Sequence, residues 1–422
     1  MIQSKKLIYY ILYLLIYLGA VQKYVVSNQL LTIIPDIFIF VAYLFCLFGH
    51  TKRKKIKVLV GTFVCTIYIL LLFSTILGAV LNVMNLASYL WGLRLLLRYP
   101  LLFWIICQNF GIADVQKYKR IIYQGFYVNI AFCCYQFAVG ETGDFMGGTF
   151  SGNGLLMLFF LIVFMIAVSD YYYKLIKPIR LYVILAGVML VAIWAEIKIM
   201  YFLFPLVFYS LYVLLKKFSV KLFILLAFGF FFLIPTMKYF MSFYYDKEYV
   251  EQTFDSEFIE EETSHAYGFS DGGFNRSTAI DLTDKNLLDT PIKKIFGYGL
   301  GSGSISSLFS SGLFNTYSYT SYWNFSSSYC LTELGWSGFI LYILFFIAII
   351  ARFFSIYLHT TNPEIKYWSS IGIVSGMVTF IIAWYNDNVY IKYLPVYFLW
   401  GICMVVIICK NKNKSIGKNT TV

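Results

Sequence analysis

The 422 residues are 60% hydrophobic and 13% charged, with a net charge of +12, where a soluble domain is about 45–50% apolar and about 25% charged. That balance excludes a string of soluble domains. It also turns the surplus of Lys and Arg from a sign of nucleic-acid binding into the positive-inside bias and anionic-lipid attraction of a membrane protein.

A bilayer crossing takes about 20 apolar residues, and stretches of this kind recur along most of the chain. Lys5 and Lys6 precede an apolar run from Leu7, and no small-residue cleavage site follows it, so the first stretch reads as an uncleaved helix over 7–22. Further spans are predicted near 29–49, 58–80, 94–112, 121–139, 152–169, 181–196, 199–215, 222–240, 327–351, 368–385 and 390–409. Around Ile197 and Lys198 the pattern fits either two short helices meeting at a turn or one interrupted element. The basic connectors are Lys52–Lys57, Lys117–Arg120, Lys174–Arg180, Lys216–Lys221 and the tail from Lys410 to Lys418. With about a dozen spans all of them fall on one side with Lys5 and Lys6, which places both termini in the cytoplasm. The opposite connectors are acidic or neutral, as at Glu141–Asp144.

The expected organisation is all-α and polytopic: a bundle of about nine helices over 1–240, a large extracytoplasmic loop over 241–326, C-terminal helices over 327–409 and a basic tail over 410–422. The loop is too polar to span and too long for a turn. Its acidic run from Glu257 to Glu262 is followed by Gly/Ser-rich and aromatic stretches, a composition that argues for a partly helical cap over the outer face.

Ionisable groups inside or at the edge of spans are costly and mark candidate sites. Arg94 and Arg98, four apart in GLRLLLRYP, share a helix face. They either mark a helix end by snorkelling or form a guanidinium clamp for phosphate. Glu196 and Lys198 in AEIK are either a local ion pair or a base beside an anion contact. Arg276, in GGFNRSTAIDL, is either solvated or a site cation. Gly297, Gly299, Gly301 and Gly303 alternate in FGYGLGSG, where backbone N–H groups could approach a phosphate or merely form a turn. The missing G-K-[ST] excludes a nucleotide loop. Glu333 opens a span in ELGWSG, and Asp36, Asp387 and Lys392 are further membrane-edge charges. The 8 Cys lie in or beside apolar runs and the 3 His are scattered, so no disulfide framework, zinc site or nucleophilic triad is expected.

The order of these features, an Arg leading into a helix-like stretch, then Phe296–Ser302 (FGYGLGS), then a span opening with Glu333-Leu334-Gly335, resembles the bacterial O-antigen polymerase (Wzy-type) and O-antigen ligase superfamily. Lys198 in AEIK is similar to that family's central basic element. The resemblance implies a GT-C-like, metal-independent membrane glycosyltransferase without cofactor. Such an enzyme joins undecaprenyl-diphosphate-linked oligosaccharide repeat units into O-antigen, capsular or exopolysaccharide at the outer face of the inner membrane. It implies Arg276 and Lys198, and more loosely Arg94 or Arg98, as diphosphate contacts, to which the backbone of Gly299 and Gly301 is added from the glycine-rich pattern, and a flippase and chain-length regulator as partners. Where the ligases carry a His before the E-x-G span, this chain reads YWNFSSSYCLTELG, which favours polymerase over ligase and leaves Glu196 as the candidate base. The competing expectations are a lipid-linked oligosaccharide flippase, a ligase, a glycan acyltransferase and a non-enzymatic scaffold. No nucleic-acid partner is expected.

Overall fold

A computed structural model of the chain describes residues 2–49, 59–216, 273–303 and 311–418, with isolated residues between 220 and 251. The acidic run from Glu257 to Glu262 and the span expected over 222–240 lie outside the described residues, the latter but for isolated positions. The long helices are α1 (Ile2–Tyr24), α2 (Ile34–Phe48), α3 (Thr62–Leu81), α4 (Leu86–Asn109), α5 (Ile112–Ala138), α6 (Asn153–Tyr172), α7 (Pro178–Trp194) and α8 (Met200–Leu215). Three short helices follow, α9 (Ala279–Leu282), α10 (Pro291–Phe296) and α11 (Gly312–Tyr317), and then α12 (Ser326–His359), α13 (Pro363–Tyr385), the short α14 (Asn388–Ile391) and α15 (Leu394–Lys418).

Eight of these helices are long and apolar enough to cross a membrane, and α7 and α8 are shorter apolar helices. The chain is therefore a multi-pass membrane protein whose described residues form helices and no strands. The two elements around Ile197 are separate helices meeting at a turn, and the backbone reverses there with Glu196 at φ 52°. The order of the long helices follows the hydropathy, and the largest differences are at ends: α4 starts eight residues before the expected 94, α5 nine before 121, α12 runs eight past 351, and α15 runs on through Lys418 into the basic tail. In these places charged or polar residues lowered the hydropathy although the helix continues.

The bundle has two faces, each tied together by contacts between connectors. On one, Lys5 pairs with Asp114 at 2.7 Å, Lys119 with Asp170 at 2.5 Å and Lys410 with Glu364 at 2.5 Å. Tyr173 also donates to the Pro363 carbonyl at 2.8 Å. This is the basic face; the expected basic connector Lys52–Lys57 lies outside the described residues. On the other, the loop face, Lys23 pairs with Glu141 at 2.5 Å, the Ala20 N–H donates to Thr149 O at 2.8 Å and the Ser326 N–H to Asn386 O at 2.9 Å. The helix α6 runs through the middle with 83% of its apolar stretch buried, whereas α2, at 22%, lies at the periphery.

The described part of the large loop packs on the loop-face ends of α3, α4 and α12. The helix α12 is broken at Gly335 (φ 60°, ψ −174°). The break frees carbonyls of the preceding turn, and the glycine-rich segment takes them: Tyr298 N–H donates to Thr332 O at 2.9 Å and Gly299 N–H to Glu333 O at 3.0 Å. A Cβ on Gly335 would lie 2.3 Å from the Gly297 nitrogen, and one on Gly297 would lie 2.5 Å from the Glu333 carbonyl carbon. The two motifs FGYG and ELG are thus the two halves of one close backbone contact.

Candidate functional site

The two arginines of α4 meet a carboxylate of α2. Arg94 Nη1 lies 2.9 Å from Asp36 Oδ2, and Arg98 Nη1 lies 3.2 Å from Asp36 Oδ1. Spacing of four on one helix brings both guanidinium groups to the same side. The carboxylate itself is nearly buried, at 6% side-chain exposure. Arg94 also lies over the Trp91 ring at 3.8 Å. Arg98 reaches the other way, donating to the Ile391 carbonyl, and the neighbouring Tyr99 hydroxyl donates to Tyr390 O at 3.0 Å. One carboxylate thus serves two cations, and the Nε of each arginine is buried without a hydrogen-bond partner among the described residues. Such orphaned donors are uncommon and ask for an explanation.

These arginines open onto a cavity of about 590 Å³ at the loop face. It is lined by Arg94, Arg98, Lys392 and Asp387, by the rings of Trp91, Trp323 and Tyr329, and by leucines including Leu14, Leu15 and Leu18 of α1 and Leu95 of α4. Lys392 and Asp387 pair at 2.9 Å. The segment before α6 closes one side through Phe150 and Ser151. It can do so because α1 offers Gly19 there: a Cβ would meet the Phe150 backbone at 2.2 Å. Behind Ser151, Asn388 is buried to 1% exposure against Gly154, with both ends of its carboxamide lacking a partner among the described residues.

The other expected site residues are placed elsewhere. Arg276 lies over the Tyr385 ring at 4.7 Å and donates from Nε to Tyr385 O at 3.4 Å, beside the connector that supplies Asp387. Glu196 and Lys198 sit on the α7–α8 turn, where Glu196 packs against Gly143. None of Arg276, Glu196 and Lys198 lines the cavity. Gly299 and Gly301 are packing residues of the loop: both have left-handed φ, and a Cβ on them would meet Met84 Sδ at 1.9 Å and Ser88 O at 2.1 Å. The N–H of Gly299 is given to the Glu333 carbonyl. Glu333, at 1% exposure, takes the Gly303 N–H at 3.0 Å on Oε1 and the Tyr390 hydroxyl at 2.7 Å on Oε2. Its carboxylate therefore ties the glycine-rich loop to the strand of chain that Arg98 also holds.

Asp36, Asp387 and Lys392 stood in the sequence only as membrane-edge charges; nothing in spacing pairs residues 62 positions apart such as Asp36 and Arg98. Trp91 was legible one turn before Arg94 on the same helix face. Among the described residues no cluster of His, Cys, Asp and Glu could hold a metal ion. No protein-family model matches the chain, and no curated protein and no solved structure shows significant similarity to it.

Proposed function

We propose that the chain polymerises lipid-linked oligosaccharide repeat units at the loop face, which is the outer face of a bacterial cytoplasmic membrane, with both termini inside. The observation that carries this reading is the make-up of the cavity lining, which joins Arg94 and Arg98 with several leucines and the rings of Trp91, Trp323 and Tyr329. A prenyl diphosphate glycan offers matching parts: apolar chain, dianionic link, sugars. Guanidinium groups bind phosphate oxygens in a fixed fork, and aromatic faces suit sugar rings. In this reading the eleven long described helices are spans of a GT-C-like enzyme.

The reaction needs no nucleotide sugar. An acceptor hydroxyl attacks the anomeric carbon of the donor glycan as its bond to the diphosphate breaks. The electron pair leaves with the prenyl diphosphate, whose negative charge Arg94 and Arg98 stabilise. The hydroxyl proton goes to a base. Of the carboxylates nearby, Asp36 is occupied by both arginines, while Asp387 lines the cavity with Lys392 as its ion-pair partner, so Asp387 is better placed than Glu196 for that step.

The test is deletion in the native host, complemented by wild type, Arg98→Ala, Arg94→Ala and Asp387→Asn, with surface polysaccharide run on a gel. Loss of the long ladder to material capped by a single repeat unit, not restored by the arginine variants at normal protein level, supports the reading. Unchanged polysaccharide sinks it. Loss of even the single-unit product points instead to a flippase or a ligase.

A further inference from the structure

A second cavity lies at the other end of the same helix hairpin. The helices α3 and α4 are joined by a short turn, yet α3 packs mainly on α12 and α4 mainly on α15. They touch where the Tyr68 hydroxyl donates to the Leu96 carbonyl at 3.2 Å. That carbonyl is available because Pro100, four residues on, has no N–H to give it. Below this point, toward the basic face, the two helices part. The gap is a cleft of about 150 Å³, walled by Val64, Phe103, Phe345, Tyr397, Trp400 and their neighbours. Ile69, 64% exposed, forms its outer lip, so the cleft opens on the side of the bundle. Arg352 is the one charged side chain lining it among the described residues. It sits against Gly61 at the basic-face end of α3, and its Nε is buried without a hydrogen-bond partner among the described residues.

An apolar void of about this size stays dry and takes an apolar guest, because empty walls forfeit dispersion contacts. A cation at the mouth of an apolar cleft that opens sideways, at the level of a membrane interface, matches a molecule with a hydrocarbon chain and a phosphate. We propose that the α3–α4 cleft is a binding site for an anionic phospholipid of the leaflet at the basic face, with one acyl chain in the cleft and the phosphate on Arg352. The site is separate from the loop-face cavity and does not depend on what that cavity binds.

The experiment is native mass spectrometry of the full-length protein, purified in detergent and offered equal amounts of phosphatidylglycerol and phosphatidylcholine. Wild type should hold phosphatidylglycerol selectively. Arg352→Gln should cut that selectivity by about fivefold to tenfold. Cys65→Phe, which fills the cleft wall, should reduce retention of both lipids, and Ile69→Trp at the exposed lip gives the same readout where Cys65→Phe fails to fold. Equal retention of both head groups by wild type, or wild-type retention by the folded filling variant, overturns the site. Co-purification of a prenyl phosphate in place of a diacyl lipid overturns the occupant.

Discussion

The two faces of the bundle treat buried charge differently. On the basic face each buried carboxylate is enclosed by its own partners. Asp170, 2% exposed, takes Lys119 at 2.5 Å, Tyr367 at 2.8 Å and Tyr123 at 2.9 Å, and Asp114 takes Lys5 and Tyr9, each at 2.7 Å. On the loop face Glu333 is enclosed in the same way by Gly303 and Tyr390, but at Asp36 the ratio inverts: it is shared by two guanidinium groups that border a cavity. A carboxylate with donors to spare closes a structure, since each buried polar group finds its partner. Cations that share one carboxylate beside open volume leave field and hydrogen-bonding capacity for a ligand. Under the proposed function the comparison separates charges that pin helices from charges that serve chemistry, although both kinds look alike as isolated ionisable residues in apolar sequence.

The sharpest way to break this distinction is to remove one charge from each face. Arg98→Ala should lower polymer output by about a hundredfold or more, in the range seen when one transition-state donor is deleted, while the purified protein keeps its thermal unfolding midpoint within a few degrees. Asp170→Ala should do the reverse. It leaves Lys119 buried without its carboxylate, which costs about 3–5 kcal/mol, so the midpoint in detergent should fall steeply while output per folded molecule stays near wild type. If both variants lose stability equally, the loop-face arginines are structural and the comparison fails.

Next in size is the joint between the glycine-rich loop and α12. Gly335→Ala must hold φ 60° and crowd the Gly297 nitrogen, at a cost of about 1–3 kcal/mol. Because Glu333 links this joint to Tyr390, and Tyr390 lies one residue from the Ile391 carbonyl held by Arg98, output should fall together with stability. Retained output at a reduced midpoint would show that the joint does not position the arginine.

The smallest effect sharpens the contrast from outside the membrane spans. The Trp336 indole N–H at 2.7 Å and Lys294 at 3.0 Å hold the Asp284 carboxyl below the usual range. A depressed carboxylate contributes stability above its unfolded value, about 3.9, and loses that contribution as pH falls from there through the folded value. Asp284→Asn should therefore lower the midpoint at neutral pH, and the gap to wild type should shrink as both are acidified below pH about 4. A gap that stays constant with pH would mean the substitution acts through shape and not through charge.

Hydropathy was sufficient to place the eight long apolar helices, because crossing lipid demands long apolar runs and satisfied backbone whatever the neighbours do. Of the site, the sequence carried what lies on one helix: Arg94 and Arg98 four apart, with Trp91 one turn earlier. It also showed FGYGLGS and ELG as unusual, without showing that they touch. What it does not contain is distance between helices. Asp36 belongs to Arg94 and Arg98, Arg98 to Ile391, and Glu333 to Gly303 and Tyr390 only after packing brings α2, α4, α12 and α14 together. The same packing turned Gly299 onto the α3–α4 turn at Met84 and Gly301 onto α4, and left Glu196 and Lys198 off the cavity wall. Local order follows from the solvent each residue must face, whereas the partners of a buried charge are chosen by the tertiary fold.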